Sequence, residues 1–179
     1  MTGQKLIRSR KTIRRYNDRP IEKETFETVF DNVRFAPSWK NTQTARYTVL
    51  QGEKKAEFIE KALTVWPRNA SIAEQAAAVI VVSTVHGLAG FNDDGSYTTA
   101  KEDRWEVFDA GIATQQLCLA LHAEGVGSVI MGLFDEKAAH ELAHLPENEI
   151  VSVVVCCGYP LDEAKCPPKK EKEEIVRYL

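Results

Sequence analysis

Asp103 to Glu124 is the strongest helical pattern in the chain, and any fold has to bury it. Val107, Phe108, Ile112, Leu117 and Leu121 recur at helical spacing, and Gly125 supplies a natural stop. Two apolar runs rich in β-branched residues flank it in sequence, Ala77 to Val85 and Ile150 to Cys157. Runs of that length and composition are buried strands. Gly111 sits inside the helical stretch, where glycine costs about 1 kcal/mol relative to alanine. Close packing or a dimer contact is the expected reason for it.

The rest of the chain fills in around these three elements. Residues 2–9 fit a short helix, Thr12 to Tyr16 an extended segment, and Asn17 to Pro20 a turn. Phe26, Val29, Phe30 and Val33 mark a helix from Glu22 to Phe35 that Ala36-Pro37-Ser38 terminates. Arg46 to Leu50 alternates as a strand, and Glu53 to Leu63 reads as a helix. Residues 64–76 are ambiguous, with a loop and a short helix as the reading. His86 to Thr99 is a long polar loop that covers something, a lid by expectation. Val126 to Met131 is a short strand, and Asp135 caps a helix that Leu145-Pro146 stops. No repeat or linker divides the chain, so one domain over 1–179 is expected, long enough for a substantial core.

Composition excludes several classes. No apolar run approaches the roughly 18–20 residues of a membrane span, and the first residues lead into no apolar segment of a secretory signal. No membrane partner is expected. The four cysteines, at 118, 156, 157 and 166, form no CxxC pair. They read as reduced thiols of a cytoplasmic protein, with Cys156 and Cys157 as buried structural residues. The chain carries a net charge of −3, which is not that of a genome-binding protein, and no nucleic-acid partner is expected.

Against that acidic background, residues 1–19 hold seven Lys/Arg and one acid, a local charge of +6. Arg8 to Arg15 alone contains five cations and two hydroxyls. Arginine offers a fork of donors suited to phosphate, lysine a point charge and threonine a neutral donor. Local chemistry leaves a phosphate site, a solvated basic face and a nucleic-acid arm open. A second candidate is the loop Ala36–Gln43. Ser38, Asn41 and Gln43 could hydrogen-bond a planar polar ligand, and Trp39 could stack on it or gate it. A third is His140-Glu-Leu-Ala-His144, which matches the HExxH zinc pattern and would put both imidazoles on one helix face. Leu145-Pro146 follows at once, and solvated histidines are the plainer reading. Gly125-Val-Gly127 precedes a strand instead of following one, so it is no dinucleotide loop.

Together these segments resemble the nitroreductase family of flavoproteins. Arg10-Lys-Thr-Ile-Arg-Arg-Tyr16 looks like its opening Arg-x-Ser-x-Arg signature, with Thr12 in place of the usual serine. Ala36-Pro-Ser-Trp-Lys-Asn-Thr-Gln43 is similar to its Ala-Pro-Ser-x-x-Asn-x-Gln loop, although Thr44-Ala45 replaces the frequent Pro-Trp. Asp109 to Ala120 resembles its central helix. Gly125–Asp135, Val155–Pro160 and the basic tail around Lys169-Lys170 match its later segments, in the right order.

The resemblance implies an α+β fold, a central mostly antiparallel or mixed sheet flanked by helices, in an intertwined homodimer with FMN at each of two subunit interfaces. By that likeness Arg10, Lys11, Thr12 and Arg14 hold the phosphate and ribityl chain, with Lys169 and Lys170 also on the phosphate. Pro37, Ser38, Trp39 and Asn41 reach the coenzyme of the other subunit. Met131 and Gly132 lie along the isoalloxazine, with the Gly132 N–H near N5. The implied activity is a ping-pong transfer of electrons from NAD(P)H to a small-molecule acceptor such as a nitroaromatic, quinone or activated enone. Flavin carries that chemistry and no catalytic side chain or metal is required. The alternatives are a flavin-delivery protein with little turnover and a zinc hydrolase built on the HELAH segment.

Overall fold

The computed structural model describes residues 2–179, so Met1, with which the expected domain begins, lies outside the described residues. Helices α1 (Gly3–Ser9) and α2 (Lys23–Val33) lead to a 3-10 turn at Trp39–Asn41 and strand β1 (Ala45–Leu50). Helices α3 (Gly52–Ala62) and α4 (Pro67–Gln75) precede β2 (Ala78–Val85). The central helix α5 (Arg104–Ala123) follows, then β3 (Gly127–Met131), α6 (Glu136–Leu142), β4 (Glu149–Gly158) and the short α7 (Lys172–Ile175). The class is α+β, as expected, and the ambiguous 64–76 segment contains α4. Pro67 at the first helical position was the local signal for it.

The four strands form one antiparallel sheet in the order β1-β2-β4-β3. β2 and β4 occupy the centre, which explains their continuous apolar sequences. Val79 and Val81 point to one core cluster with Phe58, Leu63 and Met131, while Ala78, Ile80 and Val82 point to another with Val29, Leu117 and Leu121. Alternate residues thus serve opposite layers. One layer is α3, α4 and α6, and the other is α2 and α5.

α5 also has a side that nothing among the described residues covers. Val107 is 73% exposed and Phe108 54%, and a Cβ built on Gly111 would meet nothing within 4 Å. Packing within the chain therefore does not account for that glycine.

Candidate functional site

The basic segment after α1 is pinned along its inner side. The Ile13 N–H donates to the Ser128 carbonyl at 2.9 Å, and Thr12 forms a parallel bridge with Ser128 on the free edge of β3. Ile13 and Tyr16 are buried. The Tyr16 hydroxyl lies 2.7 Å from the Ile13 carbonyl and 3.1 Å from that of Cys156. Gly127 is required beneath, because a Cβ there would sit 2.4 Å from Ile13 Cγ1. With Ile13 and Tyr16 turned inward, Thr12, Arg14 and Arg15 are exposed, and Arg10 and Lys11 half-buried. Lys11 pairs with Glu163 at 3.1 Å and Arg15 with Asp162. Arg10 and Arg14 form no ion pair among the described residues, which leaves two guanidinium groups for an anion.

Arg14 also lines a cavity of about 190 Å³ with Trp66, Arg68, Asn69 and the β3 residues Val129 to Met131. Arg68 and Asn69 were not legible as site residues, since both lie in the ambiguous segment. Asn69 is 5% exposed and its amide donates to the Leu133 carbonyl at 2.9 Å. Met131 is itself buried, its sulfur 3.6 Å from Cys156 Sγ, so a ligand above β3 would meet little of its side chain. Gly132, by contrast, is exposed with open space over it. Lys169 and Lys170 are exposed in the tail, and among the described residues no hydrogen bond or ion pair joins either to the basic segment. The chain meets that segment earlier, through the Leu161 N–H on the Arg15 carbonyl at 3.1 Å and through Asp162 and Glu163.

The Pro37–Gln43 loop is a second built feature. Lys40, Asn41 and Gln43 all have positive φ, of 45°, 58° and 51°. For Lys40 and Gln43 that conformation costs roughly 1–2 kcal/mol each, whereas asparagine tolerates it better. The strain is held by the Trp39 N–H on Asp109 Oδ2 at 2.9 Å and by the Gln43 N–H on Ser38 Oγ at 2.8 Å. The Trp39 ring lies 4.5 Å from that of Trp105, and its Nε1 is buried with no hydrogen-bond partner among the described residues. Backbone strain retained under such restraint marks a working loop. Pro37 and Asn41 are exposed, and Ser38 and Trp39 half-buried.

Loop 86–99 is ordered into a small hairpin. Phe91 bridges Tyr97, and the Asn92 N–H donates to the Ser96 carbonyl at 2.8 Å. Its base is fastened by buried Glu106, which accepts from the Gly87 N–H at 2.7 Å and lies 3.1 Å from His86 Nδ1. The hairpin and the Trp39–Thr42 stretch enclose an open cleft of about 830 Å³.

The two candidate sets lie far apart on one chain. Thr12 is tied to the outer edge of β3 near Ser128, opposite Cys157 of β4, whereas β1 begins opposite Thr84, which faces Ile150 of β4. Helix α5 gives a scale. Trp39 is bonded to Asp109 near its start, and the arm meets it at His122 near its end. The thirteen steps between them span about 20 Å at 1.5 Å per residue. The arm and the loop thus occupy opposite corners.

The HELAH segment is not one helical face, contrary to expectation. α6 ends at Leu142, and His144 lies beyond it with φ of 52°. His140 Nε2 is 3.1 Å from the Pro146 carbonyl. Among the described residues no group of three or more His, Cys, Asp and Glu is placed to hold a metal. No helix is long and apolar enough to cross a membrane among those residues.

Comparison with known proteins agrees with this architecture. The model of the nitroreductase family matches residues 7–159. A protein of Archaeoglobus fulgidus, described provisionally as an NADH dehydrogenase/NAD(P)H nitroreductase, is 32% identical over 163 residues, covering 89% of this chain and 86% of its own. The crystal structure of a nitroreductase family protein from Streptococcus pneumoniae superposes with a TM-score of 0.85 at 19% identity, covering 99% of this chain and 100% of that one. A structure from Exiguobacterium sibiricum, described as a nitroreductase-type protein in complex with FMN, superposes at 0.82 and 18% identity, over 100% and 98% of the two chains. The pinned basic segment, the strained loop and the four-stranded sheet thus sit in a chain that belongs to the nitroreductase family.

Proposed function

We propose that this protein is an FMN-dependent oxidoreductase that takes electrons from NAD(P)H and passes them to a small-molecule acceptor. The observation that carries the reading is the basic segment itself. It offers two guanidinium groups that form no ion pair among the described residues, and a threonine hydroxyl, on a backbone fixed to β3. That donor set fits a phosphate monoester, which carries roughly −1.5 to −2 charges near neutral pH. Arg10 and Arg14 would hold it, with Lys11 and Thr12 adding a charge and a neutral donor. Lys169 and Lys170 would join them once the tail is docked. FMN, when bound, supplies the redox chemistry. The chain supplies orientation: open backbone at Gly132, and the Arg14–Arg68 side of the small cavity.

That cavity, at about 190 Å³, is below the roughly 300 Å³ at which ligand pockets begin. A second copy of the chain would complete it. Two-fold pairing through the uncovered face of α5, about an axis perpendicular to that helix, would set the two helices antiparallel. The loop end of one helix then lies beside the arm end of the other. Pro37, Ser38, Trp39 and Asn41 would thereby reach the coenzyme held by the partner, and Gly111 would allow the helices to approach closely. The exposed apolar tail residues Ile175, Val176 and Tyr178 and the free edge of β1 supply further surface for intertwining. Nitroaromatics, quinones and activated enones are the expected acceptors, reduced in a ping-pong cycle in a cytoplasmic setting.

The test is the visible spectrum of the purified protein, followed by NAD(P)H oxidation with a quinone and a nitroaromatic. A flavin spectrum with acceptor-dependent turnover supports the proposal. Bound flavin without turnover favours a delivery role, and a colourless protein that does not take up FMN overturns both.

A further inference from the structure

The proposed site makes no use of the contact between Ser9 and His122, whose Oγ and Nε2 are 2.8 Å apart. Ser9 closes α1, a helix with no buried residue that rests on α5. This hydrogen bond therefore fixes the end of α1 from which the basic segment leaves. Arg10 comes next, with extended backbone at φ −60° and ψ 124°. The chain is fixed again at Ile13 by the Ser128 carbonyl. Arg10 and Lys11 hang between these two anchors. The Arg10 guanidinium is close enough to α5 for its charge to act on both Cys118 and His122, one turn apart.

We propose that His122 is a positioning residue for phosphate binding at Arg10: the imidazole holds Ser9, and Ser9 fixes the backbone from which Arg10 reaches its anion. The inference rests on the reading of the basic segment as a phosphate site. Burial, and secondly the Arg10 charge, hold the imidazole below its ordinary value. Arg10, at the end of α1, is the charged group that acts on it. Cys118, one turn back, and Glu124, just past the last turn, are its titratable neighbours along α5. An anion at Arg10 offsets that repulsion and raises the proton affinity of the imidazole. By linkage, protonation then tightens phosphate binding as pH falls.

The experiment titrates the flavin-free full-length protein with FMN and with riboflavin at about pH 8 and pH 6, read by flavin fluorescence. Ionisation of free FMN affects every variant alike, so the ratio to wild type is the measure. His122→Leu and Ser9→Ala are each expected to weaken FMN about five- to tenfold at pH 8, as for one lost hydrogen bond, and to leave riboflavin unchanged. His122→Gln, whose amide can take the place of Nε2, keeps the affinity at pH 8 but falls behind wild type at pH 6. If His122→Leu does not fold, Ser9→Ala carries the same test. Wild-type FMN affinity in both, or an equal loss for riboflavin, overturns the inference. If wild type itself binds FMN no better than riboflavin, the phosphate reading fails first.

Discussion

The Trp39 amide donates to Asp109 Oδ2 at 2.9 Å, and this bond joins the strained loop to the central helix. Asp109 is only 3% exposed. Burial raises its pKa above the ordinary value, and the Trp39 N–H acts in the opposite direction.

Asp109→Ala removes that acceptor and leaves a part-buried amide unpaired. The expected cost is about 1–3 kcal/mol, read in urea unfolding, with faster proteolysis at residues 38–43. Asp109→Asn keeps an acceptor and should behave differently with pH. A carboxyl whose folded pKa is raised contributes fully below its unfolded value and loses that contribution as pH rises through the folded one. Relative to the Asp109→Asn variant, wild type should therefore lose stability as pH climbs above the ordinary 3.8. A wild-type advantage that grows toward neutral pH would contradict this.

Gly127→Ala should disturb the basic segment directly, since the new Cβ would lie 2.4 Å from Ile13 Cγ1 and 2.7 Å from its Cβ. Overpacking of this kind costs about 1–3 kcal/mol. Ile13→Ala on the same chain should recover part of the loss in a double-mutant cycle. Additive losses would show that the contact is not the cause.

Glu106→Gln should release the 86–99 hairpin. The buried carboxylate holds the Gly87 amide at 2.7 Å and His86 at 3.1 Å, and bonds to a charged group are worth about 1.5–3 kcal/mol. Hydrogen exchange should accelerate in residues 86–99 while the strands keep their protection.

The thiols should divide one against three. Cys166 is exposed, and Cys118, Cys156 and Cys157 are buried. Burial raises the pKa of all three, that of Cys156 to about 12. A colorimetric thiol reagent at neutral pH should titrate one group in the native protein and four after denaturation. Two fast-reacting native thiols would refute the buried assignment.

The central helix, the two core strands and the basic segment were legible in sequence because burial and charge are local patterns there. The strand runs stood out since both faces of β2 and β4 are covered. The contribution of Arg68 and Asn69 was not legible, because α4 is short and its apolar face is carried by Ile72 and Ala73, with no long periodic pattern. The HELAH segment misled for a related reason. Spacing alone suggested one face, but the chain leaves the helix at Ala143 and turns through a positive φ at His144. The Ser9–His122 bond spans 113 positions, and no local pattern announces it.

Because the basic segment and the Pro37–Gln43 loop stand at opposite corners of one chain, damage to either should be separable by co-expression. On the two-fold pairing proposed above, a chain disabled at Arg10 and another disabled at Asn41 would each be inactive alone. In a mixed pair, one of the two compartments would combine both healthy contributions and the other both defects. Co-expressed alleles should therefore regain a fraction of activity that neither produces by itself.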